Sequence, residues 1–245
     1  MKRILLKAVW LGTLGLASPA LGADLPYAKA PVVAPQVYDW TGFYIGGFGG
    51  GGFGNHNLNN ANGPAFGGAA DFTINYSSQG AIAGGEFGYN WQSGNYFTGF
   101  EADVFWSGIT GNDASQQFGV IDQTDLRWGG SLRARGGIAV DRLLLFFTGG
   151  WGFGDIRHTS IAPGFPVDQF SSFRNGLTGG GGISYAITNN VIGKLEYRFY
   201  DLGRYARTGN PLTPNGQLPY TVDNTYSVVT IGFDFKFGGP VVAKY

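Results

Sequence analysis

The stretch Asp125-Leu126-Arg127-Trp128-Gly129-Gly130-Ser131-Leu132-Arg133-Ala134-Arg135-Gly136-Gly137-Ile138-Ala139-Val140 decides the fold class. One parity reads Leu126, Trp128, Gly130, Leu132, Ala134, Gly136, Ile138 and Val140 and carries no charge, whereas the other holds Asp125, Arg127, Ser131, Arg133 and Arg135. A period of two is that of a β-strand, whose successive side chains point to opposite faces. Further segments from Ala81 onward repeat the pattern. In a soluble sheet the apolar face packs on a second layer and the charges face water. This chain offers no second layer. Lipid must then cover the apolar faces, and the charges must point into the middle of a closed barrel.

Eight segments qualify as strands, at about 41–53, 79–91, 96–107, 125–140, 143–155, 175–187, 191–200 and 226–237. Each is long enough for the roughly 9 to 11 tilted residues that cross a bilayer. Their connections alternate between tight turns (92–95, 141–142, 188–190) and long polar loops (54–78, 108–124, 156–174, 201–225). That asymmetry belongs to outer-membrane barrels, with short turns on the periplasmic side and long loops outside. The pattern predicts an all-β, eight-stranded antiparallel up-and-down transmembrane β-barrel with both termini periplasmic. The first strand is so rich in glycine that its two faces are indistinguishable.

Aromatic residues recur near the strand ends, where amphipathic rings favour the membrane interface. Tyr89, Trp91, Tyr96, Tyr185 and Phe237 are expected to form the periplasmic girdle, and Trp106, Trp128, Trp151 and Phe199 the outer one. The inward set is expected to be Glu86, Glu101, Asp103, Asp125, Arg127, Arg133, Arg135, Lys194, Glu196, Arg198, Asp234 and Lys236, six acids and six bases. Eight strands enclose a space just wide enough for side chains to fill. Equal numbers of opposite charges there predict a cross-linked plug of ion pairs, with Arg133 or Arg135 meeting Glu101 or Asp103 on the neighbouring strand.

Residues 1–22 read as a secretory signal peptide: Lys2, Arg3 and Lys7 precede the apolar run 8–17 and the small-residue end Ser18-Pro19-Ala20-Leu21-Gly22. Its apolar run is too short to span a membrane as a helix. Removing it takes three basic residues and no acid, so the formal balance moves from 16 against 16 to 13 against 16. A near-neutral chain has no electrostatic footprint for nucleic acid. Residues 23–40, with Pro26, Pro31 and Pro35, form an extended periplasmic lead before a barrel at 41–237 and a tail at 238–245. The absence of cysteine excludes disulfides, zinc-thiolate sites and a thiol nucleophile. Its 44 glycines lie inside aromatic, alternating segments, which excludes a flexible linker protein.

Four stretches carry a family resemblance: Asp39-Trp40-Thr41-Gly42-Phe43-Tyr44-Ile45-Gly46-Gly47; Thr148-Gly149-Gly150-Trp151; Lys194-Leu195-Glu196-Tyr197-Arg198-Phe199-Tyr200-Asp201-Leu202-Gly203; and Phe237-Gly238-Gly239-Pro240-Val241-Val242-Ala243-Lys244-Tyr245. Together they resemble the alphaproteobacterial outer-membrane immunogenic proteins within the OmpA-like barrel superfamily. The resemblance implies residence in the Gram-negative outer membrane and lipid as the surrounding partner. The run Thr230-Ile231-Gly232-Phe233-Asp234-Phe235-Lys236-Phe237 is similar to the terminal-strand signal read by the barrel assembly machinery, with Thr230, Gly232, Phe235 and Phe237 as its elements. Many such proteins stop at that aromatic, so either Phe237 or Tyr245 is the functional end.

Reaction chemistry has few candidates. His56 and His158 are the only histidines, both in expected outer loops, where Asp155, His158, Ser160 and Asp168 could gather. Lipid-modifying barrel enzymes need a base beside a nucleophile, and this spacing fixes none. The expectation is a non-enzymatic, structural barrel without cofactor or metal. The alternatives are a haem-binding receptor using His56, His158 or a loop tyrosine, an adhesive or antigenic surface built on 55–62 and 208–211, a narrow porin and a lipid A-modifying hydrolase. No loop ligand is legible.

Overall fold

The computed structural model describes residues 37–60, 72–112, 121–161, 164, 166–208 and 219–238. The expected signal peptide, the lead before residue 37 and the tail after Gly238 lie outside them. Eight strands follow in order: β1 Gly42–Asn60, β2 Phe72–Ser93, β3 Tyr96–Asn112, β4 Ile121–Val140, β5 Leu143–Ile161, β6 Asp168–Ala186, β7 Val191–Thr208 and β8 Pro219–Lys236. Each pairs antiparallel with its sequence neighbour, and β1 pairs with β8 to close the barrel. Closure leaves no unpaired edge, which hydrocarbon would not tolerate.

The strands run 17 to 22 residues, well beyond their expected bounds. At about 3.3 Å per residue and a tilt near 40°, roughly ten residues cross an apolar band of about 25 Å. About half of each strand therefore projects past it. The turns on one side are tight, with positive φ at Gly94 and Asp141, so the projection is on the other. Much of what the polar sequence suggested were loops is antiparallel ladder; for example, Gly54 to Asn60 pairs with Ser78 to Phe72. Backbone pairing holds polar residues in strands as well as apolar ones, and hydropathy alternation is blind to it.

A second difference is a change of parity in β4. Leu126 pairs with Ile156 and Trp128 with Asp155, so Arg127 is an inserted residue. A bulge of this kind puts two residues opposite one and reverses the faces beyond it. Below it Ser131, Arg133 and Arg135 are buried inward; above it Leu126 and Thr124 are. Asp125 and Arg127 are consequently not interior charges. Arg127 stands on the outer surface, its side chain 49% exposed, 3.3 Å from Asp155. Asp125 accepts hydrogen bonds there from Thr110 (2.5 Å) and Gln123 (2.9 Å).

β1 also acquires distinct faces. Phe43, Ile45 and Phe53 are exposed, while Tyr44, Phe48 and His56 are buried inward.

Candidate functional site

The barrel interior is filled in layers. At the turn end, Tyr38 and Trp40 of the lead enter the barrel mouth and pack with Phe97, Ala139, Leu144, Phe146, Ala186 and Ile192. Directional bonds fix this plug. The Tyr38 amide donates to Asp141 Oδ1 (3.1 Å) and the Trp40 indole to the Asp141 carbonyl (3.0 Å). The Trp40 amide donates to Gln92 (2.7 Å), the Tyr38 hydroxyl to the Asn189 carbonyl (3.2 Å), and Lys236 to the Asp39 carbonyl. Each anchor lies in or beside a tight turn or strand end, which explains why a proline-rich lead terminates in Tyr-Asp-Trp.

Above the plug lies an ion-pair network. Arg133 contacts Glu101, Asp103 (3.2 Å) and Glu196; Arg135 contacts Glu101 (2.7 Å) and the Tyr44 hydroxyl (2.6 Å). Arg198 lies 2.9 Å from Asp103. All of these side chains are at most 3% exposed. Burial on this scale is tolerated only where each charge is paired and hydrogen-bonded. Phe146 and Phe48 cover the guanidinium faces of Arg135 and Arg198 at 4.2 and 4.7 Å.

Glu86, Glu101 and Glu196 present carboxylate oxygens within 4.8 Å of one another, a spacing open to a metal. Lys194 occupies that position instead. Its Nζ lies 2.5 Å from Glu86, 3.0 Å from Glu101 and 3.7 Å from Glu196, so the ammonium takes the place of a cation. The buried charges at this level and below comprise Glu86, Glu101, Asp103, Glu196 and Asp234 against Arg133, Arg135, Lys194, Arg198 and Lys236. The balance is even, so no single-sign path runs through the lumen.

An apolar layer follows, made of Phe48, Ile82, Phe105, Ile109, Leu126, Ile156, Tyr200, Leu202, Tyr226 and Val228. Ile156 and Leu202 come from segments the sequence suggested were loops, and Leu126 from the misassigned face. On top sits a polar group. His56 Nε2 lies 3.0 Å from Ser78 Oγ, and its Nδ1 3.0 Å from Asn224 Oδ1. His158 Nδ1 lies 2.9 Å from Thr124 Oγ1, which also meets the Tyr76 hydroxyl at 2.5 Å. The Ser160 side chain lies outside the described residues, and Asp155 is paired with Arg127. Both ring nitrogens of His56 are engaged, so ligating iron would require breaking one of these bonds.

On the outside, Phe43, Tyr89, Trp91 and Phe100 form a ring cluster near the turn end, with centroid separations of 4.4 to 6.5 Å. Tyr96, Tyr185 and Phe237 are exposed at the same end. Trp128, Trp151, Phe153 and Phe173 cluster toward the other end, where Trp106 and Phe199 are also exposed. Phe173 lies in β6, within the polar stretch 156–174 whose composition suggests a loop. Thr230 and Gly232 of β8 are buried while Phe235, and Phe237 just past the end of the strand, are exposed.

A closed eight-stranded antiparallel barrel, apolar outside and charged within, defines a transmembrane barrel of the outer-membrane class. The family profile for the outer membrane protein beta-barrel domain matches residues 25–237, and the chain belongs to that family. It is 30% identical to a 31 kDa outer-membrane immunogenic protein of Brucella melitensis over 95% of this chain and all of that one. It is 32% identical to a 22 kDa outer membrane protein of Rhizobium leguminosarum bv. viciae over 66% of this chain and 64% of that one. Among solved structures, OprG of Pseudomonas aeruginosa shares the fold at 14% identity, with a TM-score of 0.52 and coverage of 82% of this chain and 99% of that one. The chain is an outer-membrane protein related to the alphaproteobacterial immunogenic proteins.

Proposed function

We propose that this protein is a structural barrel of the Gram-negative outer membrane, closed to solutes, with both termini in the periplasm and its extended strands at the cell surface. The single observation that carries the reading is the filled lumen: an aromatic plug, a charge-balanced network and an apolar layer lie in series along the barrel. An eight-stranded barrel has no spare width to carry water past them. The tight turns and the docked lead share one end, which suits the periplasmic side of such barrels. Lipid is the partner of the outward face, and the assembly machinery reads β8 during insertion. This role uses no reaction chemistry, cofactor or metal.

Planar-bilayer recording of the full chain tests it. The wild type should show no stable open level, with or without haem in the bath. A steady conductance in the wild type would replace this reading with that of a narrow porin, and a haem-dependent change in the bilayer-inserted protein would favour a receptor.

A further inference from the structure

The outward faces of β1, β2 and β3 differ from the rest of the barrel. Among the described residues they carry no charged side chain, whereas Asp125, Arg127, Asp155, Asp201, Arg204 and Asp223 stand outward on β4, β5, β7 and β8. Gly47, Gly49 and Gly51 of β1 lie beside Gly85, Ala83 and Ala81 of β2. None of these six has a side chain larger than a methyl. Gly47, Gly49 and Ala83 floor an open groove of about 490 Å³. Trp106 of β3, next to Ala83, makes one wall; Ile231 and Phe233 of β8, next to Gly49 and Gly47, make the other. Trp106 and Phe233 are 74% and 59% exposed, so both rings stand clear of the sheet.

The barrel itself does not require the outward glycines. The inward Gly46, Gly50 and Gly54 have no room for a Cβ, which would run into Asp234, the Val229 carbonyl and Ser78 respectively. A Cβ on Gly47, Gly49, Gly51 or Gly85 meets nothing closer than 3.6 Å, and none of the four has a positive φ. Glycine weakens a strand interior, and where neither packing nor conformation calls for it, it marks a close approach to the backbone from outside. The walls select what approaches. A flat second sheet would strike Trp106 and Phe233 before it reached the floor, whereas a single acyl chain, comparable in width to the ~4.8 Å strand spacing, lies between them. Further along the same two strands, past Phe53, the outward residues become polar: Gln79 pairs with Phe53, Ser77 with Asn55 and Asn75 with Asn57, all exposed. Their amides and hydroxyl offer donors and acceptors without charge, which suits the hydroxyls of a sugar. The charged residues bordering this array are carboxylates, Asp223 beside Asn57 and Asp125 beyond Thr110, and these disfavour an anionic head.

We infer that the outer wall formed by β1 and β2 binds a glycolipid with an uncharged sugar head. Its acyl chain lies in the groove floored by Gly47, Gly49 and Ala83, and its sugar meets Asn55, Ser77 and Gln79 just above. The groove continues the lipid-facing surface of the barrel, and its polar end is the end at which the strands project beyond the apolar band. The inference rests on the proposed membrane placement and goes beyond it by selecting one class of lipid at one wall.

The test is photolabelling of the full chain, folded in phosphatidylcholine vesicles, by two lipids with the same diazirine-bearing acyl chains, one a monoglucosyl diacylglycerol and the other phosphatidylcholine. Mass spectrometry locates the labelled peptides. The glycolipid should label β1 and β2 about tenfold more than the phosphatidylcholine probe does, the effect of one or two hydrogen bonds to the sugar. Both should label the other strands equally. Gly49→Leu, whose Cβ meets only the Ile82 carbonyl at 3.7 Å, should fill the groove and remove the excess. Asn55→Ala combined with Gln79→Ala should bring the glycolipid down to the phosphatidylcholine level. Heat-modified gel mobility reports whether each variant folds, and if one does not, the wild-type distribution decides. Equal labelling of β1 and β2 by the two probes would overturn the proposal while leaving the barrel in lipid. Absence of label from every strand would overturn the membrane placement as well. A β1 and β2 face shielded from both probes, with a dimer in light scattering, would assign it to a second copy instead.

Discussion

Arg133 on β4 and Glu196 on β7 form a direct ion pair across the lumen, although two strands separate them in the barrel order. The same guanidinium reaches Glu101 and Asp103 on β3. One cation thus ties opposite walls together at mid-depth. Such a cross-link is possible because an eight-stranded barrel is narrow enough for one arginine side chain to reach the far wall.

Arg133→Ala should therefore leave the buried network one cation short, with Glu101, Asp103 and Glu196 sharing only Arg135, Lys194 and Arg198. Breaking a buried pair by removing one partner costs about 3 to 5 kcal/mol. Arg127→Ala, which removes a half-exposed surface pair, should cost at most about 1 kcal/mol. Urea midpoints in lipid vesicles compare the two. Equal midpoints would mean that water solvates the interior.

Leu132 lies on the opposite face of the same strand and is 53% exposed. Leu132→Arg should destabilise by roughly 2 to 4 kcal/mol if lipid surrounds it near the midplane. Arg127→Leu, beyond the bulge, should be nearly neutral. The same urea titrations measure both, and a neutral Leu132→Arg would remove lipid from that face.

The plug should be sensitive to alkali. Burial pushes the Tyr38 phenol up to about 12, against the pull of Arg142. A raised acid favours the neutral form in the docked state, so its contribution is complete below the free phenol value near 10. It is lost as pH climbs toward about 12. Since the chain has no cysteine, Val37→Cys gives a single site for a spin label. The label should loosen across that window, and Tyr38→Phe should abolish this step.

Topology follows from the tight turns and the docked lead. Protease added to intact cells should cut only within 54–78, 108–124, 156–174 and 201–225, the stretches that hold the projecting strand ends and the connections between them. The lead at 24–39 should become accessible only after the outer membrane is opened. Mass spectrometry of the released peptides checks this, and a cut in the lead of intact cells would invert the barrel.

Phe237 is the final prediction. Its amide still donates to the Phe43 carbonyl at 2.8 Å, so pairing with β1 reaches this residue. If β8 is the assembly signal, Phe237→Ala should reduce outer-membrane abundance several-fold, whereas deletion of 238–245 should be tolerated. Membrane fractionation measures both. The reverse pattern would move the signal to Tyr245.

The sequence alone determined the fold class, because a period of two with the charge on one parity, in a chain that offers no second layer to cover the other parity, is stable only as a closed barrel in lipid. It also fixed that Glu101, Arg133, Lys194 and Glu196 share one parity within their strands, and that the tight turns lie at one end. Parity is a local property and survives as long as the strand is regular. The bulge at Arg127 is where it fails: one inserted residue turned Asp125 and Arg127 outward and brought Leu126 into the interior, and no local signal separates a bulge from an ordinary Leu-Arg-Trp. Tertiary structure alone decided which charges meet, since Arg133 and Glu196 are 63 residues apart and their pairing depends on barrel stagger. The Ser78, His56 and Asn224 alignment was equally illegible. Its three members lie in segments whose polarity suggested loops, and only closure of β1 onto β8 places Asn224, 168 residues away, beside His56.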